Sequence, residues 1–116
     1  MTEDLDERLR QLPAADAPAL IALGRELVGA GRLPDAEECF RRAAALGDAV
    51  AAFALGNTLA AQERWDEASV AYEAALAGGE AHAWRTLGTV LDEMGDEDGA
   101  LAAWRGAFER AGIVAA

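Results

Sequence analysis

A period of 32 residues, present three times, limits what this chain can fold into more than any other feature of its sequence. A leucine–glycine pair recurs at that spacing, with the glycines at Gly24, Gly56 and Gly88. In each copy leucine follows the glycine by three residues, alanine by twelve, an aromatic residue by sixteen and a second alanine by nineteen. Periods of this length are typical of stacked supersecondary units that bury a continuous core between neighbours. The sequence therefore predicts a short array of three such units.

The residue types in these columns predict helices that pack closely. Small residues let neighbouring helices approach, and the leucines and aromatics fill the remaining space. Glycine inside a helix costs about 1 kcal/mol relative to alanine, so a column of three glycines indicates that close packing offsets this cost. β-branched residues never alternate over a strand-length run, and no strand is expected. Seven helices are predicted, at about 3–12, 17–30, 34–46, 49–62, 66–77, 81–94 and 97–111.

Capping residues mark the ends of these helices. Asp48 and Asp66 are predicted as N-caps, because a side-chain carboxylate can accept a hydrogen bond from a free backbone N–H of the first turn. Pro34 suits the first turn of a helix. A glycine that follows a helix, such as Gly47, suits a left-handed C-terminal cap.

The columns resemble the tetratricopeptide repeat, whose signature is W-x2-L-G-x2-Y followed by A-x3-F. The third copy reads Trp84-x2-Leu87-Gly88, and the aromatic position of the second part holds Phe40, Tyr72 and Trp104 in the three copies. Leucine replaces the usual tyrosine, and the period is 32 residues instead of 34. The shortening falls between units, where the chain resembles the linkers of SEL-like repeats.

This resemblance implies an all-α fold, an α-solenoid of three helix-turn-helix repeats behind an N-terminal capping helix. The implied boundaries are 1–16 for the capping helix, 17–48 and 49–80 for the first two repeats, and 81–116 for the third repeat with the C-terminal tail.

The resemblance also implies a non-catalytic protein–protein interaction module that binds a peptide or protein segment in a concave groove lined by the first helix of each pair. Matching positions in this chain are Ile21, Arg25, Val28, Val50, Phe53, Asn57, His82, Arg85 and Thr89, together with Ala60 and Asp92. Asn57 is expected to hydrogen-bond a peptide backbone, and the arginines to bind a carboxylate. The alternative is that the arginines only pair with neighbours such as Glu26 or Glu80. A clamp for a C-terminal carboxylate is disfavoured, since Ile21 stands where that clamp has a basic residue.

The ends of the array offer a second candidate surface. Leu5, Leu9 and Leu12 form an apolar stripe typical of a capping helix. The outer face of the last helix is expected to carry Leu101, Phe108 or Ile113 without cover, and an exposed apolar patch indicates association. The alternative function is therefore a self-associating structural or regulatory subunit that docks through its uncapped C-terminal end or through its acidic convex face. Raised salt is expected to weaken contacts of the acidic face but not apolar ones.

Composition excludes several other functions. The chain has 116 residues, 21 of them acidic and 10 basic, with a net charge of −11. Such acidity argues against nucleic acid and anionic membranes as partners. The start of the chain lacks the basic and apolar regions of a secretory signal, and Cys39 is the only cysteine, so a reducing, cytoplasmic location is expected. The absence of lysine predicts a GC-rich, bacterial source.

No cofactor, metal or catalytic site is expected. His82 is the only histidine, and no carboxylates stand at ligand spacing from it. Cys39 has no histidine base nearby in sequence, and a buried structural thiol is predicted. The cluster Asp92, Glu93, Asp96, Glu97 and Asp98 lacks the spacing of a calcium loop.

Overall fold

The computed structural model describes residues 2–11 and 16–110, and within these ranges the chain forms seven α-helices and no strand. The helices are α1 (Thr2–Gln11), α2 (Ala17–Gly29), α3 (Leu33–Ala45), α4 (Ala49–Ala61), α5 (Trp65–Ala77), α6 (Ala83–Glu93) and α7 (Glu97–Arg110). Helices α2 to α7 form three pairs that stack in chain order, and the second helix of each pair packs on the first helix of the next. The predicted all-α solenoid is confirmed, and its extents are 54 × 25 × 19 Å.

The glycine column exists because an aromatic ring of the second helix lies directly on the first helix. The contacting pairs are Gly24 with Phe40, Gly56 with Tyr72 and Gly88 with Trp104. A Cβ at Gly24 or Gly56 would lie 2.5 or 2.6 Å from the facing ring, well inside normal contact distance. The leucines on either side of the glycines are buried in the same core, apart from Leu91, which packs against it partly buried.

Helix ends follow the predicted capping chemistry with one exception. Asp48 caps α4, and its carboxylate accepts a hydrogen bond from the backbone N–H of Ala51 at 2.9 Å. Gly47 has a φ of 92° in the turn before it, as a left-handed cap requires. The predicted N-cap at Asp66 is wrong. Helix α5 begins one residue earlier, its N-cap position holds Arg64, and Asp66 lies in the first turn.

Arginines at equivalent positions tie successive units together. Arg32 precedes α3 and pairs with Asp6 of the capping helix at 2.5 Å. Arg64 precedes α5 and pairs at 2.6 Å with Glu37 of the preceding repeat. Glu37 also accepts hydrogen bonds from Arg41 of its own helix and from Gln62 at the end of α4, so its carboxylate links α3 to the turn between α4 and α5.

The capping helix covers the first repeat with its apolar stripe. Leu5 and Leu9 are partly buried against the core. Leu12, the Phe108 side chain and Ile113, which the sequence also assigned to the ends of the array, lie outside the described residues. None of the described helices combines the length and the apolar character that crossing a membrane requires.

Candidate functional site

The first helices of the three pairs, α2, α4 and α6, present the surface that we call the first-helix face. The 32-residue period places their outward side chains in four columns, and every one of these side chains is exposed or only partly buried. The columns are Pro18, Val50 and His82; Ile21, Phe53 and Arg85; Arg25, Asn57 and Thr89; and Val28, Ala60 and Asp92.

A cavity of about 350 Å³ opens on this face where α2 meets α4. Its lining residues are Arg25, Val28, Leu33, Phe40, Val50, Phe53, Ala54, Asn57, Thr58 and Ala61. Five of the nine residues that the sequence assigned to the groove are therefore brought together here. The other four do not line the cavity: Ile21 packs partly buried against the core, while His82, Arg85 and Thr89 lie exposed at α6.

The cavity is apolar, and its only charged lining residue is Arg25. Val28 of α2 and Val50 of α4 both line it, and each keeps 42% of its surface exposed. Phe40 of α3 also lines the cavity, because its ring packs against Gly24 of α2. Because this apolar surface is exposed to water, burying it against an apolar group of a partner would be favourable.

Asn57 has an internal hydrogen-bond partner that the sequence did not reveal. The buried Tyr72 hydroxyl donates to the Asn57 side-chain oxygen at 2.6 Å, and burial raises the pKa of Tyr72 to about 12. The Tyr72 ring also lies 5.8 Å from the Phe53 ring, measured between centroids, at an angle of 53°. The Asn57 amide nitrogen forms no hydrogen bond with the described residues, so it remains available as a donor on the face.

Most arginines of the described residues form ion pairs. Six arginines pair with carboxylates: Arg8, Arg10, Arg32, Arg41, Arg42 and Arg64. Among the arginines whose side chains are described, Arg25, Arg85 and Arg105 form no ion pair.

The carboxylates that the sequence offered as partners for Arg25 and Arg85 are engaged elsewhere. Glu26 pairs with Arg8 of the capping helix. Glu80 lies 2.7 Å from Nδ1 of His82, and the hydrogen bonds from His82 lower the pKa of Glu80. The alternative, in which Arg25 and Arg85 only pair with Glu26 or Glu80, does not match these ion pairs.

Other candidate sites carry less chemistry. Cys39 is fully buried, as predicted, and burial raises the pKa of its thiol. No group of three or more histidine, cysteine or acidic side chains converges among the described residues in a way that would hold a metal. A second cleft, of about 360 Å³, lies beside Trp65 and Met94 at the turns of the second and third repeats. Its arginine, Arg64, is already bound by Glu37 and Glu67.

Three stacked helix pairs, each closed by a glycine–aromatic contact, give this chain the fold of tetratricopeptide-repeat proteins. Its likeness to solved structures bears this out. MamA superposes with a TM-score of 0.79 and 27% identity over 90% of this chain and 63% of its own. YrrB, described as "a TPR protein with an unusual peptide-binding site", superposes with a TM-score of 0.74 and 27% identity over 93% of this chain and 55% of its own.

This chain thus spans less than two-thirds of the length of either of these two superposed chains. No protein-family model and no curated protein matches its sequence.

Proposed function

We propose that this chain is a non-catalytic protein-interaction module that captures an extended segment of a partner protein on its first-helix face. The observation that carries the proposal is the apolar cavity between α2 and α4, where Val28, Val50 and Phe53 stand open to solvent beside Arg25 and Asn57. The peptide-binding site named for the similar protein YrrB supports the same function.

The residues of the cavity would make two kinds of contact with a bound segment, apolar and hydrogen-bonding. Val28, Val50 and Phe53 would bury an apolar side chain of the partner, which is worth about 1.5–3 kcal/mol for a fully buried side chain. The amide nitrogen of Asn57 would donate to a backbone carbonyl. Micromolar affinity corresponds to roughly −8 kcal/mol, so binding of that strength needs contacts beyond the cavity, along α6.

The experiment is a pull-down from the lysate of the source organism with matched variants. Val50→Asp places a charge in the cavity wall, whereas Val70→Asp makes the same change at a valine that is 64% exposed on α5. We expect Val50→Asp, and the double variant Phe53→Ala/Arg85→Ala, to lose the captured protein while Val70→Asp retains it. Circular dichroism establishes that all variants stay helical. Equal capture by the cavity variants and the control would refute the proposal.

Self-association through the C-terminal end is a second candidate. Leu101 is 57% exposed and occupies the repeat position of Glu37, which contacts the following unit through Arg64. Trp104 is partly exposed, although Phe40 and Tyr72 at the same position are buried. A second copy would cover this apolar edge.

Sedimentation velocity tests this second candidate. We expect wild type to associate with rising concentration and Leu101→Glu to remain monomeric, with Val70→Glu as the control. A wild type that is monomeric at all concentrations would eliminate this candidate. Association that raised salt disrupts would instead favour the acidic face formed by the second helices.

A further inference from the structure

Two of the three unpaired arginines of the described chain lie on the first-helix face, one on α2 and the other on α6. Arg25 and Arg85 lie in the two central columns of that face, which hold no carboxylate. Every other arginine whose side chain is described pairs with a carboxylate, except Arg105 on α7. The chain has 21 acidic and 10 basic residues, so these two arginines lack carboxylate partners although carboxylates are in excess.

The negative charge of the molecule is kept at the margins of this face. Helix α4, in its centre, carries no charged residue. On one margin Glu80 is engaged by His82, and Glu26 of α2 is engaged by Arg8. Asp92 stands on the opposite margin, in the outermost column of α6. The centre of the face is therefore apolar with two free guanidinium groups.

We infer that the segment bound on this face is an extended, acidic peptide in which one apolar side chain is flanked by carboxylates. The apolar side chain enters the cavity between α2 and α4, one carboxylate meets Arg25 and another meets Arg85. This inference rests on the proposed function and names the chemistry of its ligand. A cationic segment is disfavoured, because it would meet two arginines at the centre of the face.

The geometry of the array fixes the spacing of these groups. Packed helices lie about 8–10 Å apart, so Arg85 on α6 stands one helix beyond the cavity. An extended chain advances about 3.3 Å per residue. A carboxylate about three residues from the apolar anchor therefore reaches Arg85. Arg25 lines the cavity itself. The peptide carboxylate that binds Arg25 therefore belongs to a residue adjacent to the apolar anchor, on the side of the anchor away from Arg85.

Arginine suits this role because its planar guanidinium binds a carboxylate with two parallel hydrogen bonds. Asn57 lies in the same column as Arg25, on the helix between those of Arg25 and Arg85. Its free amide nitrogen would donate a hydrogen bond to the backbone of a peptide bound between the two arginines. The cavity volume of about 350 Å³ is at the small end of ligand pockets, which matches one anchoring side chain and not a folded domain.

A random linear peptide library displayed on phage tests the inference without assuming a sequence. Wild type is the bait, and Val50→Asp is the counter-selection that removes peptides bound outside the cavity. We expect the enriched peptides to share an apolar residue with aspartate or glutamate beside it and again about three residues away. Synthetic copies of these peptides are then measured by fluorescence anisotropy at low and high salt.

Charge reversal provides the decisive comparison. Arg25→Glu and Arg85→Glu should each weaken binding of the enriched peptides at least tenfold, while Arg105→Glu, which changes an unpaired arginine on α7, should leave binding unchanged. Replacing the acidic residues of the peptide by lysine should restore binding to the Arg25→Glu/Arg85→Glu double variant. Thermal unfolding of each variant establishes that the fold is intact.

The outcomes separate this inference from the function on which it rests. Enriched peptides that depend on Val50 but lack acidic residues, or that bind all three arginine variants equally, would overturn the inference and leave the groove function standing. No enrichment of wild type over Val50→Asp would overturn both.

Discussion

Substitution of Gly56 tests whether the glycine column exists to seat an aromatic ring. A Cβ at this position of α4 would lie 2.6 Å from two carbons of the Tyr72 ring. Carbon atoms in contact prefer a separation of about 3.5–4.0 Å, so the ring or the helix must move. The ring is held in place, because Tyr72 is fully buried and its hydroxyl is bound to Asn57.

Gly29 supplies the matched control for the size of the effect. It is the last residue of α2, and a Cβ there would meet nothing within 4 Å. Gly29→Ala should therefore show only the helix-propensity gain, which is up to about 1 kcal/mol. Gly56→Ala receives the same gain but incurs an overpacking cost of about 1–3 kcal/mol. We expect the two variants to differ by about 1–3 kcal/mol in the free energy of unfolding, with Gly56→Ala the less stable.

Urea unfolding followed by circular dichroism measures this difference, and a double-mutant cycle assigns it to the ring. In a Tyr72→Leu background the added methyl group has more room, so Gly56→Ala should destabilise less than it does in wild type. Gly56→Leu adds a larger side chain and should unfold the array, because domains are stable by only about 5–15 kcal/mol. The reasoning is refuted if Gly56→Ala is as stable as Gly29→Ala, or if Gly56→Leu melts at the wild-type temperature.

Three further predictions follow from the helix ends, the ion pairs and the core. Asp48→Ala should lower the free energy of unfolding by about 1 kcal/mol, because it removes an N-cap. Asp66→Ala removes no capping bond and should lower the free energy of unfolding by less. Urea unfolding of both variants measures this difference. Burial raises the pKa of Glu37, but hydrogen bonds from its arginine and glutamine partners outweigh this and hold the pKa below the usual 4.5. The stability it contributes should be present above pH 4.5 and be lost as the pH falls through the lowered pKa, so Glu37→Gln should flatten that part of the curve of unfolding free energy against pH. An equally steep curve in the variant would contradict this. Cys39 should react with a thiol reagent only when the protein unfolds, since the thiol is buried and burial raises its pKa; rapid modification of the folded protein would contradict the packing described.

The fold could be predicted because each residue type that its packing requires recurs at a fixed position of the 32-residue period. A glycine on the first helix and an aromatic residue sixteen positions later are the two sides of one contact, such as that of Gly56 with Tyr72. Chain segments this close in sequence form a helical hairpin, so the period alone implies which helices touch. No knowledge of distant contacts is needed to place the pairs.

Helix starts were predicted less accurately, because local interactions decide them. Helix α5 begins before Asp66: Arg64 occupies the N-cap position, and its guanidinium donates a hydrogen bond to Glu67 in the first turn. Helix α6 begins at Ala83 and not at 81, because the preceding turn is closed by hydrogen bonds between His82 and Glu80.

The candidate site was predictable only for residues that the period places on the surface. The resemblance to the tetratricopeptide repeat assigned Arg25, Val50 and Phe53 to the groove, and the structure finds them around one cavity. The engagement of Glu26 by Arg8 of the capping helix could not be predicted, because it depends on how a non-repeated segment docks. The use of the Asn57 oxygen by Tyr72 escaped prediction for a similar reason, since tyrosine fills a column that phenylalanine and tryptophan fill elsewhere.

Repetition makes the scaffold regular, and departures from repetition give the first-helix face its register. If Ile21, Phe53 and Arg85 were alike, a bound segment could shift by one repeat and find the same surroundings. Arg85 removes that freedom, because the position that is apolar in the first two repeats is cationic in the third. The core columns cannot vary in this way, since a Cβ at any glycine of the column would strike a ring. Under the proposed function, specificity therefore resides in the exposed columns, where a substitution would change the ligand without disturbing the packing that holds the helices together.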